Sequence, residues 1–411
     1  MRVAIIGGGA AGMMAAWSVS QNHPNANIVL FEKNKNLGAK VIISGGGRCN
    51  LTTGIEQVSD VLKNYPRGPR FLKHAIYSMP PAQVRDFFEN LGVATKCEKD
   101  LRVFPVSNNG HDVVDAFVDY FNTTNVVVSL GTQIVNVDHF DGGFRVYKKN
   151  DQVECFDKLI ITTGGQAYRH TGSSGDGYAF AESLGHTITE LGPSLNSFIL
   201  MEKFFANVSG LSFKNVKLTA KCKDNKKHQI SGPILFTHKG LTGPAVFAMS
   251  ALLAFSHISD DKPLILKLDL LPELSLKDLM SHWNQFLISS PKKYFKHFLY
   301  NYVPKSMIEL LDNQYNLKMN MPANSLNVKT VNLILEQCKN LHVHITGRGK
   351  GDEFVTAGGV CRSDINSKTM QSKITSGLYF AGEIIDVDGV TGGFNLQASW
   401  ACGNLAGFLL N

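Results

Sequence analysis

Two hydrophobic periods alternate along residues 1–191. Short unbroken apolar runs, Val3-Ala4-Ile5-Ile6 and Ile28-Val29-Leu30-Phe31, read as buried strands. Between such runs, Pro81 to Leu91 puts Val84, Phe87, Phe88 and Leu91 on one helical face. Val126–Leu130, Gln133–Val137 and Gly143–Tyr147 predict strands, with Asp141-Gly142-Gly143 turning between the last two. Lys158–Thr162 is a further buried strand that stops at Thr163-Gly164-Gly165. The texture changes at Gly192-Pro193. Strands are predicted at Ser197–Met201, Val216–Cys222 and Leu264–Leu268, with a hairpin turn over Lys223–Lys226. From Leu274 to Lys339 the period is helical, punctuated by Pro291 and Pro304. After Gly349-Lys350-Gly351 the first texture returns. Gly377–Gly382 is a strand entering a glycine turn, and Gly392-Gly393-Phe394-Asn395 opens a helix to about Leu410, packed through Ala398, Ala401, Leu405 and Leu409. The pattern predicts an α/β fold: a discontinuous Rossmann-like domain (1–191 and 351–411) with an insert at 192–350. The insert divides into a β-barrel-like part, about 192–271, and a helical part, about 272–340.

Composition adds limits. With 411 residues, 44% hydrophobic and 18% charged, the chain has ample core for two or three domains. The longest apolar stretch, Val246–Phe255, is too short to span a bilayer. Met1-Arg2 before Val3–Ile6 imitates the start of a signal peptide, yet the run stops at glycines and serves better as a strand, so a cytoplasmic protein is expected. Seven scattered cysteines without a C-x-x-C pair argue for free thiols. His342 and His344 share a strand face without a third ligand, so no metal is expected. The net charge of +7 is uneven: Asn196–Lys350 holds 20 Lys+Arg against 10 Asp+Glu. Such a basic insert could attract a polyanion such as RNA, or be a solvated lysine surface.

The chemistry starts at Gly7-Gly8-Gly9-Ala10-Ala11-Gly12, directly after the first strand. Gly7 permits a tight turn, Gly9 lets backbone approach a pyrophosphate, and Gly12 lets the helix pack on the sheet. The helix start then offers N–H groups to the phosphates. Glu32, about 20 residues on, is placed to hold ribose hydroxyls. A second glycine run, Gly172–Gly177, does not directly follow a strand and reads as a loop leading to a helix at Tyr178, so no separate nicotinamide domain is visible. One fingerprint plus a C-terminal strand–glycine–helix element fits FAD better than NAD. Gly392, Gly393 and Phe394 would aim a positive helix end at the flavin, and Glu383 or Asp386 could reach its ribityl or phosphate region. Ser44-Gly45-Gly46-Gly47-Arg48-Cys49-Asn50 spends backbone entropy on three glycines, as close approach of a ligand would require. Arg48 offers a fixed charge there, Asn50 an amide and Cys49 a thiol. In the insert, His238 and Thr242 could reach a substrate if the insert covers the flavin, and Pro244 is placed to start a helix.

These segments, with Thr171–Tyr178, Phe236–Pro244 and Gly382–Gln397, together resemble one flavoprotein family. It contains bacterial bile-acid-inducible reductases, an aminoacetone oxidase of streptococci and a 23S ribosomal RNA dihydrouridine synthase. The resemblance runs over essentially the whole chain and implies FAD in a discontinuous Rossmann-like domain, with a β-plus-helical insert over the flavin. The family loop after Gly165 commonly reads Tyr-Pro, whereas here Tyr168 precedes Arg169 and His170. Thr171–Tyr178 is closer to the reductase and oxidase branch. The cofactor-binding set expected is Gly7, Gly9, Ala10, Ala11, Gly12, Glu32, Lys33, Lys40, Ser44, Gly45, Gly46, Gly47, Arg48, Asn50, Ile134, Thr163, Gly164, Gly165, Gly382, Glu383, Asp386, Gly392, Gly393, Phe394 and Asn395.

The expected reaction is reduction: hydride from NAD(P)H to flavin N5, then to a polarised C=C bond such as an enone or a uracil 5,6 bond. Arg48 and the C-terminal helix start supply electrostatics, and Cys49 or His238 the proton. An amine or aminoacetone oxidase releasing peroxide is an alternative. So is a flavin-bearing protein that binds ribosomal RNA through the basic insert without turnover.

Overall fold

The computed structural model describes residues 1–221, 226–349 and 353–409. The chain folds as two compact units, Met1–Ser194 with Glu353–Asn411, and Leu195–Asp352. The junction expected at Lys350–Gly351 and the turn residues Lys223–Asn225 lie outside the described residues.

In the first unit the unbroken apolar runs become one parallel sheet, ordered Leu378–Phe380, Lys158–Ile161, Arg2–Ile6, Asn27–Phe31, Val126–Ser129. Ile5 sits opposite Leu30 on one side and Ile160 on the other. A parallel strand covered on both faces has no polar side to present, which is why these runs do not alternate. The helix Ala10–Asn22 packs along the C-terminal helix Phe394–Gly407. A Cβ on Gly403 would stand 3.2 Å from the Ala11 carbonyl carbon, and one on Gly407 would stand 2.9 Å from the Ala15 oxygen. Those two glycines, one turn apart, let the helix backbones approach. The strands expected near Gln133 and Gly143 form a separate antiparallel sheet, Ile134–Phe140, Gly143–Lys148 and Val153–Phe156.

The second unit holds a closed antiparallel barrel of six strands in the order Phe198–Leu200, Gly240–Thr242, Lys227–Phe236, Ser212–Lys221, Leu264–Asp269, Leu341–Arg348. Period-2 alternation puts Val216, Leu218, Leu266, Leu268, Val343 and Ile345 inside. Three of these strands lie outside the segments read as strands in the insert, among them the three-residue Gly240–Thr242. Lys227–Phe236 is broken to the eye by Gly232-Pro233, and Leu341–Arg348 follows the helices yet closes the barrel against Phe198–Leu200. The apolar stretch near Val246 is the helix Pro244–Leu252, started by its proline. The helical part comprises Leu276–Ser289, Phe295–Leu299, Lys305–Tyr315 and Val328–Lys339, around Trp283, Phe295, Phe298 and Leu311. Its first helix opens on a capping box between Ser275 and Asp278. Among the described residues, no helix is long and apolar enough to cross a membrane.

Candidate functional site

The first strand runs straight into Gly7, whose φ of +109° is closed to most L-residues. Its N–H donates to the Phe31 carbonyl at 2.8 Å, tying the turn to the second strand. A Cβ on Gly12 would run into the Gly7 carbonyl and stand 2.8 Å from Thr162 Oγ1, so only glycine lets the helix sit this close. Gly9 differs: a Cβ there would meet no protein atom within 4 Å. Gly9 caps the helix without any side-chain hydrogen bond, so the first-turn N–H groups at Ala10 and Ala11 have no side-chain acceptor. Beside the turn, Glu32 is 8% exposed. Its two oxygens accept the Gly8 and Asn34 N–H groups, each at 2.8 Å.

Other expected residues converge on this helix start. A Cβ on Gly382 would stand 2.7 Å from the Ala11 Cβ. Glu383 Oε1 accepts the Thr356 N–H at 2.8 Å and would stand 2.9 Å from a Cβ on Gly165. Glu383 Oε2 takes Lys40 Nζ at 2.7 Å. Thr162 Oγ1 donates to the Gly7 carbonyl at 2.8 Å, so Thr163-Gly164 leaves the sheet beside the same turn. Thr163 Oγ1 and the Tyr178 hydroxyl are buried without a hydrogen-bond partner among the described residues. Burial raises the Tyr178 pKa, and the Glu383 and Asp386 carboxylates add to it, so the phenol keeps its proton.

The loop Ser44–Asn50 carries Gly45, Gly46 and Gly47 in succession at φ +59°, +74° and +87°. A Cβ on Gly46 or Gly47 would meet nothing within 4 Å. Asn50 joins this loop to the C-terminal helix start: its amide oxygen accepts the Gly393 N–H at 2.9 Å and its NH2 donates to the Thr52 carbonyl at 3.1 Å. Ser44 Oγ donates to the Val41 carbonyl. Arg48 stacks over the Phe104 ring, 3.8 Å from its centroid, and pairs with Glu98 at 2.7 Å. Gly392 and Gly393 both have positive φ, and Asn395 bonds both the N–H and carbonyl of Gly389, which holds the loop before the helix. Phe394 is buried against Tyr65.

The open cradle at Gly9, the uncapped helix start, and the unpartnered Thr163 and Tyr178 hydroxyls fit a bound dinucleotide. Such a ligand supplies acceptors and fills space where the protein does neither.

The chain belongs to the HI0933-like protein family. The family's Rossmann domain matches residues 1–409. The chain is 29% identical over 407 residues to the 3-dehydro-bile acid delta(4,6)-reductase of Clostridium scindens, covering 99% of this chain and 98% of the relative. It is 29% identical over 403 residues to the ribosomal RNA dihydrouridine synthase of Escherichia coli, covering 97% and 96%. Among solved structures, the quinol fumarate reductase subunit FrdA of E. coli shares the fold, with a TM-score of 0.52 and 16% identity over 99% of this chain and 69% of that one.

In this HI0933-like chain three expectations change. Cys49 is fully buried, and burial pushes its thiol up to about 12, only partly offset by a hydrogen bond from Ser44. A thiol that weak, with no exposed surface, is unsuited to give a proton to substrate. Glu383 and Asp386 are not free carboxylates. Glu383 is held by Lys40, and Asp386 by Arg362 at 3.0 Å. Lys33 likewise pairs with Asp176 at 2.7 Å and bonds Ser174. Ile134 is buried at the start of its strand. Tyr168, before the departing Arg169-His170, sits in the left-handed region at φ +56° and stacks on Phe354 at 5.6 Å. His238 is exposed in the Thr237–Gly240 turn of the second unit.

Several supporting residues were not anticipated. Gln397 is fully buried and bonds Thr52 and the Met79 carbonyl. Arg67 grips the buried Asp388 with two nitrogens, and Ser194 donates to the same carboxylate. Only the 321-residue separation of Arg67 and Asp388 hid that pair, because neither stands in a local motif.

Proposed function

We propose that this protein is an NAD(P)H-fed reductase that adds hydride and a proton across a polarised carbon–carbon double bond. Its enzyme class, an FAD-dependent oxidoreductase, rests on family membership and on relatives that are a reductase and a ribosomal RNA dihydrouridine synthase. Electron source and substrate are our reading. The observation that carries it is the convergence of Ala11, Lys40, Gly165, Gly382 and Glu383 around a helix start whose Gly9 faces open space. Bound there, FAD would supply a two-electron hydride carrier whose electronics follow from the groups around it.

In this reading the N–H groups at Ala10 and Ala11 take the pyrophosphate and Glu32 takes ribose hydroxyls. Lys40, held by Glu383, stands beside the phosphates. Gly392, Gly393 and the positive end of the C-terminal helix favour negative charge next to them. Arg48, held by Glu98 and Phe104, keeps a fixed cation at the glycine loop. His238 is the remaining proton-donor candidate. Both substrate classes, a small enone and a uridine C5–C6 bond in ribosomal RNA, share the polarised double bond that such a reductase needs.

The test is anaerobic addition of NADH or NADPH to the purified yellow protein, followed in the visible flavin band. Rapid bleaching, then recovery on adding an enone or ribosomal RNA, is expected. A protein that resists both nicotinamides but is bleached by aminoacetone, and forms peroxide in air, would replace the reductase with an oxidase.

A further inference from the structure

The helical part of the second unit carries a polar cavity of about 200 Å³. The helix Lys305–Tyr315 supplies one wall, where Ile308, Glu309, Asp312 and Asn313 recur at spacings of three and four and so share a face. Lys296, from the helix Phe295–Leu299, and Asn320, from the loop after Tyr315, complete the lining. Backbone hydrogen bonds tie these walls together. The Lys296 N–H donates to the Met319 carbonyl at 3.0 Å, and the Phe295 N–H to the Met321 carbonyl at 3.1 Å. Asn316 and Lys318, at φ of +48° and +58°, turn the loop back over the helix it leaves.

The charges around this cavity do not close on one another. Asp312 is 9% exposed. Its oxygens accept the Met319 N–H at 2.9 Å and Asn320 Nδ2 at 2.8 Å, which uses about half of what a carboxylate can accept. It has no cation partner among the described residues, although buried carboxylates are ordinarily paired. Glu309, beside it, takes the Tyr300 hydroxyl at 3.2 Å and the exposed Lys305 at 3.7 Å. The Tyr300 pKa is raised by burial first and then by the Glu309 and Asp312 carboxylates, so this wall is electronegative. On the other wall, Lys296 is half-buried and makes no ion pair among the described residues. Its Nζ stands 5.9 Å from the Tyr294 ring centroid. A buried carboxylate and an ammonium thus line one small cavity with a gap between them.

We propose that this cavity binds a small amino-acid-like zwitterion. The ligand's ammonium lies against Asp312 and Glu309, and its carboxylate against Lys296. The Asn313 and Asn320 amides offer a donor or an acceptor to either end. A volume of about 200 Å³ falls below the roughly 300–1,000 Å³ of drug-sized sites, so the ligand has few atoms. Ile308 is the one apolar residue of the lining, which suits a short side chain rather than a large hydrophobic one. A molecule carrying both charges satisfies both walls, whereas a lone metal ion would leave Lys296 facing a second cation. The site lies within the second unit and involves no redox step, so it does not rest on the reductase reading.

The experiment is isothermal titration calorimetry of the full-length, flavin-loaded protein with each of the common amino acids at millimolar concentration. For the tightest binder, two probes that lack one charge follow: its carboxamide and its N-acetyl form. A small amino acid should bind, and each charge-deleted probe should bind about 10–100-fold more weakly. Lys296→Met, which keeps the aliphatic stem, should weaken the amino acid by a similar factor and leave its carboxamide unchanged. Asp312→Asn should weaken the amino acid and its carboxamide alike and spare the N-acetyl form. Equal thermal unfolding of unliganded Lys296→Met and the parent shows that this variant folds. No binding by any amino acid, a Lys296→Met variant that loses amino acid and carboxamide equally or loses neither, or binding of Mg²⁺ or Ca²⁺ in place of any amino acid would each overturn the proposal.

Discussion

Gly9 and Gly12 stand three residues apart in one motif, and the structure predicts opposite outcomes for the same substitution. In Gly12→Ala the new methyl overlaps the Gly7 carbonyl oxygen and stands 3.0 Å from the Gly7 carbonyl carbon. Neither neighbour can yield: Gly7 is tied by its N–H to Phe31 at 2.8 Å, and its carbonyl by Thr162 Oγ1 at 2.8 Å. The helix must move off the sheet, an overpacking cost of about 3 kcal/mol at the upper end of the usual range. In Gly9→Ala the methyl meets no protein atom, and φ of −80° suits alanine. Losing glycine at the cap costs a few tenths of a kcal/mol or more, while alanine returns about 0.4–1 kcal/mol through the unfolded chain, so stability is nearly unchanged. What changes is the cradle. A methyl pressed against a pyrophosphate should weaken FAD by about 100-fold, again roughly 3 kcal/mol. The assay pairs urea unfolding of flavin-free protein with FAD reconstitution followed by fluorescence quenching. Gly12→Ala should lose urea midpoint and flavin together, and Gly9→Ala flavin alone. Wild-type FAD affinity in Gly9→Ala would refute the assignment of the open space to the cofactor. An unchanged urea midpoint in Gly12→Ala would refute the packing argument.

Cys49→Ala should keep reductase turnover within a few-fold once a substrate is in hand, because the thiol is buried and weakly acidic; a loss of about 100-fold, the scale of general acid catalysis, would restore it as the donor. Asp388→Asn leaves the half-buried Arg67 beside a neutral amide and should cost about 3 kcal/mol in urea unfolding, with a shift below about 1 kcal/mol counting against a structural pair. Burial works to raise the Asp176 pKa, but hydrogen bonds from Lys33 and Ser174 and the Lys33 charge outweigh it, so its carboxyl is held below the ordinary aspartate range. That stabilisation is present above the ordinary range and fades as pH falls through the lowered value. The urea midpoints of wild type and Asp176→Asn should therefore differ at neutral pH and converge in acid; a gap that persists in acid would contradict the sign.

The parallel sheet was legible because Val3–Ile6, Ile28–Phe31 and Leu159–Ile161 are continuous apolar runs, a signal contained within a few residues. The same is true of Gly7–Gly12 and Glu32. The barrel was half legible. Val216–Lys221 alternates cleanly, but the strand's start at Ser212 lies beyond a register shift after Phe213, Gly232-Pro233 hides a ten-residue strand, and no local pattern says that Leu341–Arg348 returns to Phe198–Leu200. At the site, residue types were legible and their partners were not. Arg48 and Cys49 are adjacent in sequence, yet one lies over Phe104 and the other is wholly buried. Only tertiary packing decides which of two neighbours faces inward. Asn50 was legible as an amide, whereas its bond to Gly393 joins positions that no local window contains.

The cations of the candidate cofactor site point to a last consequence. Lys33, Lys40 and Arg48 are each held by a carboxylate at 2.7 Å: Asp176, Glu383 and Glu98. An anionic cofactor bound here would meet little net charge and would be gripped chiefly by backbone N–H groups, whose fixed dipoles release no condensed counterions. FAD affinity should therefore change by less than about tenfold between 50 and 200 mM salt, measured by flavin reconstitution at a series of salt concentrations. A much steeper salt dependence would mean that Lys33, Lys40 and Arg48 leave their carboxylates to meet the cofactor, and that the pairs seen here do not persist in the loaded site.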